Sequence, residues 1–305
     1  MTMKKLCLIV LMAGLLFSDT LFAQAGLDNF HDNILLLQGK VEDEARLIST
    51  GVPLLLIAPD SRSGAMGDIG VASTPDAYSN HWNAAKLPFA EKQFSVALTY
   101  SPWLREIASD INLTYLAGYY KLNELSAIGA SLTYFSLGSI DFFNTEGLST
   151  GTYNPNEFSF DVSYSLKLSD NFAASVTGRY IRSDLTQGQV VNNNSTHAAS
   201  AVSADIGLYY QKDVLSDKPV QYALGLQISN LGNKISYSDN LESSFLPANL
   251  RLGGRYTYTM DQFNKVSFMM DLNKLLVPTP PVRDTANEVY KGYEDNVGVL
   301  TGVFQ

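Results

Sequence analysis

The run Phe158-Ser159-Phe160-Asp161-Val162-Ser163-Tyr164-Ser165-Leu166 decides the fold class. Large apolar residues alternate with small or polar ones at a period of two. On a β-strand successive side chains point to opposite faces. One face of this segment is therefore wholly apolar and the other small, polar or charged. Working outward, the same alternation runs through Phe94–Tyr100 and through Val220–Ile228. Nine strands are predicted, at about 93–100, 110–120, 126–137, 157–167, 172–183, 199–211, 220–229, 249–259 and 265–273. Most reach the roughly 9–11 residues that a tilted strand needs to cross a bilayer.

The connections sharpen the reading. Lys121–Leu125, Leu168–Asn171, Lys212–Pro219 and Met260–Asn264 are short, while Ser101–Ser109, Gly138–Asn156, Asp184–Ala198, Asn230–Ala248 and the stretch from Lys274 are longer. Long and short alternate strictly. Outer-membrane barrels have short periplasmic turns and long outer loops, so the pattern predicts a transmembrane antiparallel β-barrel, all-β in class. Hydrocarbon offers no partner for backbone N–H and C=O groups, and sheet closure satisfies them. Tyr100, Tyr119, Tyr120, Tyr164, Tyr209, Tyr210, Tyr256 and Tyr258 fall near strand ends, where aromatic girdles form. Asp161, Arg179, Asp205, Arg251, Arg255 and Asp271 fall in register with the polar face and are expected in the lumen. An Arg facing lipid near mid-membrane would cost roughly 2–4 kcal/mol.

Charged residues make up 17% of the chain, below the roughly 25% of a soluble domain. The formal charge of −9 makes the chain a poor partner for nucleic acid, and that class is set aside. Lys4-Lys5 followed by the apolar run Leu6–Phe17 reads as a cleaved signal peptide over 1–23. The single cysteine, Cys7, lies within it, so no disulfide or thiol chemistry is expected. Residues 24–52 read as a periplasmic N-terminal arm, and 93–305 as the barrel. Between them, 53–92 carries Gly64, Gly67 and Gly70 among Pro59, Asp60, Asp68 and Asn83. It has no Gly-Lys-Ser/Thr of a phosphate loop. It reads as a compact hatch folded into the barrel, with Asp60 and Asp68 in turn and cap roles.

His31, His81 and His197 lie far apart with no metal-ligand spacing, and no nucleophile elbow is present. No enzyme activity and no cofactor are expected. Apolar residues on the long connections, Trp103, Phe142, Phe143, Leu275 and Leu276, point to protein contact, because aromatic and apolar groups dominate interface energetics.

The hatch segment also carries a family resemblance. Leu55–Arg62, Met66–Ala72, Trp82-Asn83, Ser101–Leu104, Tyr119-Tyr120 and Tyr134–Gly138 resemble the corresponding parts of FadL-like outer-membrane barrels. The closest resemblance is to the PorV (LptO) family of the type IX secretion system. Asn83-Ala84-Ala85 stands where FadL-like proteins often have Asn-Pro-Ala. The resemblance implies a fourteen-stranded barrel with an N-terminal hatch in the outer membrane of a Gram-negative bacterium. It implies a role in protein secretion. Such a protein binds the C-terminal signal domain of cargo leaving the large translocon barrel (Sov/SprA-like), beside which it docks. It then carries the cargo to the surface attachment complex (sortase-like PorU and associates). The alternative is a FadL-like transporter of hydrophobic small molecules, which needs an apolar tunnel past the hatch. Against fourteen strands the nine predicted here leave about five absent. Val297–Gln305 reads as the approach to a tenth strand, and the chain as a C-terminally truncated part of a longer one.

Overall fold

The computed structural model describes residues 48–103, 110–143, 147–191, 194–214, 219–239, 243–283, 289–291, 293–294 and 296–303. The expected signal peptide and most of the expected N-terminal arm lie outside these residues. The wall consists of nine strands: β1 (Phe94–Pro102), β2 (Ile111–Lys121), β3 (Ser126–Leu137), β6 (Asn156–Ser169), β7 (Phe172–Asp184), β10 (Ala199–Val214), β11 (Val220–Gly232), β12 (Asn249–Thr259) and β13 (Lys265–Leu275). Each pairs antiparallel with its sequence neighbours, so strand order in the sheet follows chain order. The sheet is not closed, and β1 and β13 are its edges.

Three small hairpins occur among the described residues outside the wall sheet. Two stand on long connections, β4 (Ile140–Phe143) with β5 (Ser149–Tyr153) and β8 (Val190–Val191) with β9 (Asn194–Ser195). The third, β14 (Val282–Arg283) with β15 (Val289–Lys291), belongs to a separate compact unit. No helix among the described residues is long and apolar enough to cross a membrane.

Burial follows the period of two. Along β7 and β10 residues alternate between buried and exposed almost without a break. The exposed set is apolar: Val176, Val202, Leu224, Phe268 and Leu272 are each more than half exposed, as suits a lipid-facing band. The buried set is small and polar, with Ser131, Ser159, Ser163, Ser165, Ser175 and Thr177 nearly sealed.

The alternation corrects the girdle assignment. Tyr119 and Tyr120 are adjacent on β2, as are Tyr209 and Tyr210 on β10, so only one of each pair can face outward. Tyr119 and Tyr209 point inward, at 7% and 0% exposure, and pack on the hatch. Tyr100, Tyr120, Tyr164 and Tyr256 remain on the outer face.

Residues 53–92 fill the interior with short helical turns. These are a 3-10 turn at Pro53–Leu56, helical turns at Ser61–Ala65 and Ser79–Trp82, and a 3-10 segment at Ala84–Phe89. The segment runs from one end of the wall to the other. Val52, Leu54 and Leu55 pack with Leu113, Ile181, Ala199, Ala201, Ile235 and Leu246, which lie at strand ends beside long connections or within them. Ala77, Ala84, Leu87 and Ala90 pack with Tyr119 and Ala127, which flank the short connection from β2 to β3. Residues 48–52, the described part of the expected periplasmic arm, thus sit at the end that carries the long connections.

The reading of 297–305 as a strand approach also changes. Val299–Val303 is a helical turn, closed by the Gly302 N–H donating to Gly298 O at 3.0 Å. A Cβ at Gly302 would stand 2.8 Å from Pro278 and 2.9 Å from Phe245, so the turn is seated against the wall's end and does not extend the sheet.

Candidate functional site

The hatch begins with a cap. Asp60 precedes the turn at Ser61–Ala65; its Oδ1 accepts from the Ser63 N–H at 2.8 Å, as an N-cap does. Its Oδ2 accepts from the indole Nε1–H of Trp82 at 2.7 Å, so one buried carboxylate joins two parts of the segment. Pro59 beside it is buried. Gly67 (φ 80°) and Asp68 (φ 59°) are left-handed and reverse the chain, with the Asp68 N–H donating to Ser63 O. Gly70 lies flat against Trp82: an added Cβ would stand 2.1 Å from the indole. Gly64 faces open space, with only Asp68 Oδ1 at 4.0 Å, so close packing does not require it.

Asn83 and Asn80 pin the segment to the wall. Asn83 Oδ1 accepts from the Ala85 N–H, and its Nδ2 donates to Val71 O at 3.3 Å and to Leu208 O on β10 at 2.9 Å. Asn80 Nδ2 donates to Gly118 O at 2.8 Å, and its Oδ1 accepts from Ser163 Oγ at 2.7 Å. Wall glycines make room for these contacts. A Cβ at Gly129 would lie 2.0 Å from Asn80 Oδ1, and one at Gly207 would lie 2.4 Å from Asn83 Oδ1. A glycine inside a strand marks such a close approach.

The lumen charges form three groups, two of which hold the hatch. On the last wall strand, Asp271 Oδ2 accepts from the backbone N–H groups of both Gly70 (2.8 Å) and Val71 (3.0 Å). Arg255 on β12 donates through Nε to Ala72 O at 3.0 Å and through Nη2 to Tyr209 Oη at 3.3 Å. One turn of the hatch is thus gripped by a carboxylate at its N–H groups and a guanidinium at its carbonyl. Arg251 stacks over the Trp82 ring at 4.8 Å, a cation–π contact.

The third group is a buried triad in the wall. Arg179 Nε donates to Asp161 Oδ1 at 2.7 Å, and its Nη2 to Asp205 Oδ2 at 3.0 Å. It also donates to Asn230 Oδ1. The register between β10 and β11 shifts there, placing one extra residue on β11. At this bulge Asn230 adopts φ 61° and turns its N–H to Asp205 Oδ1 at 2.8 Å. Bulges re-aim groups in this way.

Burial shifts the titration of two hatch groups. Lys86 is fully buried, with Nζ donating to Gly70 O at 2.6 Å and to Ser73 Oγ at 2.9 Å. Burial lowers its pKa to about 8. The His81 side chain keeps some exposure, but its Nε2 is sealed without a partner. Burial first, then Arg251, Arg179 and Lys86, hold its pKa well below the ordinary range, so the ring is neutral.

The outer candidates stand on three separate stretches of the chain. Trp103 follows β1; its N–H donates to Ile111 O at 2.9 Å and its ring meets Phe135 edge-on at 6.2 Å. Leu275 ends β13, and Leu276 donates its N–H to Ala248 O at 2.7 Å. β1 and β13 are opposite edges of the sheet. Phe142 and Phe143 stand on β4, opposite Gly151 and Ser149.

Sequence reading missed Asn80, Lys86 and Tyr209 as hatch anchors. Glycines within alternating strands, Gly129 and Gly207 above all, were the available signal.

The family described as type IX secretion system protein PorV matches residues 40–282. No curated protein matches the chain.

Proposed function

The chain belongs to the PorV family of type IX secretion system proteins, and on that premise we propose that it works through its outer surface and not through its lumen. In this reading it binds the C-terminal signal domain of cargo leaving the large translocon barrel and carries it to the surface attachment complex. It sits in the outer membrane with its apolar strand faces in lipid. The observation that carries the proposal is the filled interior. Among the described residues, 53–92 are tied to the wall by Asp271, Arg255, Asn80 and Asn83, and these anchors are polar. A transporter of hydrophobic small molecules needs a greasy tunnel, and the inward side chains here are mainly serine, threonine, aspartate and arginine.

Cargo contact is assigned to Trp103, Phe142, Phe143, Leu275 and Leu276. Alanine at all five positions is expected to reduce capture of a cargo signal domain in a pull-down from detergent-solubilised membranes by tenfold or more. Undiminished capture rejects the assignment of those residues. Uptake of labelled fatty acid into liposomes carrying the protein, at a rate above protein-free liposomes, would favour the transporter instead.

A further inference from the structure

The path of the chain through the wall carries a topological conclusion. Residue 93 begins at the end with short connections: Lys121 donates its N–H to Gln93 O at 2.8 Å, and Tyr119 Oη donates to Lys92 O at 3.2 Å. Followed backward, the segment passes Asn83 against β10, Asn80 between β2 and β6, and Val71 against Asp271 of β13. It then reaches the opposite end. There the Gly51 N–H donates to Phe245 O at 2.8 Å, in the long connection between β11 and β12. A Cβ on Gly51 would stand 2.4 Å from Ile235 in that same connection. Val52 turns with φ 52°, and Pro53–Leu56 coils on the rim, with Leu54 and Leu55 inserted inward. Ile48 and Leu56 are exposed there, at 39% and 37%.

Long connections mark the outer side of such a barrel and short ones the periplasmic side. We infer that Ile48–Val52 lies at the cell surface, on the same side as the long connections, and that the polypeptide threads the lumen from outside to inside before the first strand. The rim turn is then part of the face offered to secreted protein, and it adds the exposed Ile48 and Leu56 to that face.

The one cysteine of the sequence, Cys7, falls in the expected signal peptide, so an introduced cysteine can be labelled singly. The variants are Ile48→Cys and Ser49→Cys, with Asp239→Cys in the β11–β12 connection as the long-connection reference and Glu124→Cys in the β2–β3 turn as the short-connection reference. All four positions are exposed. A membrane-impermeant maleimide is applied to intact cells and to permeabilised cells, and each value is normalised to labelling after heat denaturation. The expected result is that Ile48→Cys and Ser49→Cys label in intact cells to within twofold of Asp239→Cys, while Glu124→Cys labels only after permeabilisation. Labelling of Ile48→Cys and Ser49→Cys that follows Glu124→Cys overturns the inference. So does failure of both to label even after permeabilisation. Cargo capture is not measured here, so this result and the assignment of cargo-contact residues stand or fall separately.

Discussion

The two ends of the segment that fills the wall are built from different materials. At the long-connection end Val52, Leu54 and Leu55 meet Leu113, Ile181, Ile235 and Leu246 in a dry apolar seal. At the short-connection end a cavity of about 880 Å³ is lined by Thr74, Asp76, Glu91, Lys92, Gln211 and Arg255, among others. A polar, roomy site of this kind holds water, whereas an apolar one stays dry. The difference teaches that, among the described residues, the plug is packed dry at the long-connection end. It is sealed by hydrophobic burial at that end and held by hydrogen bonds and charge at the other.

That contrast can be broken at named positions. The largest effect is expected in the charged layer of the wall. Arg179→Met leaves Asp161 and Asp205 buried without their cation, and breaking a buried pair costs roughly 3–5 kcal/mol. Urea unfolding in detergent micelles should show the loss. The triple change Asp161→Asn, Arg179→Met and Asp205→Asn should recover most of it, because the uncompensated charge is gone. Next comes the dry seal. Leu54 is 3% exposed, and buried Leu→Ala changes cost about 2–5 kcal/mol. Leu54→Ala should open the long-connection end to protease while leaving cleavage at the short-connection end unchanged. Equal cleavage at both ends would erase the contrast.

The third effect falls on the grip from the last wall strand. Asp271→Ala removes a carboxylate that accepts two backbone N–H bonds, and hydrogen bonds to charged groups contribute about 1.5–3 kcal/mol each at most. Hydrogen exchange at Gly70 and Val71 should accelerate well before global unfolding. The smallest effect is a pH dependence at the buried Lys86. Burial lowers the Lys86 pKa from 10.5 to about 8. Between those values the unfolded chain binds more protons than the folded one, so stability rises with pH across that window and is lowest below about 8. Lys86→Met should flatten the slope of unfolding midpoint against pH between 8 and 10.5. A slope unchanged by that substitution would show that another group sets it.

Much of the wall was legible because a strand's period of two is written residue by residue. The nine strands, their neighbours and the lipid-facing set follow from alternation alone. The same rule, applied strictly, separates Tyr119 from Tyr120; reading tyrosines by their place near strand ends obscured it. The hatch was legible as glycine-rich turns, with Asp60 as a cap. Its partners were not, because Gly70 and Asp271 lie 201 residues apart and no local pattern links them. The bulge at Asn230 is equally silent in sequence, since it depends on a partner strand. Val297–Gln305 was read as the approach to a tenth strand, and so short a stretch does not distinguish a strand from the helical turn found at Val299–Val303.

The Asp271 clamp has a bearing on biogenesis. The grip on Gly70 and Val71 comes from β13, the ninth strand of the wall, so the plug is held only by contacts to earlier strands until that one is laid down. Closing a loop of this length has to precede any reward from the contact. Full locking of the turn at Gly70 and Val71 therefore requires the ninth strand to be in place.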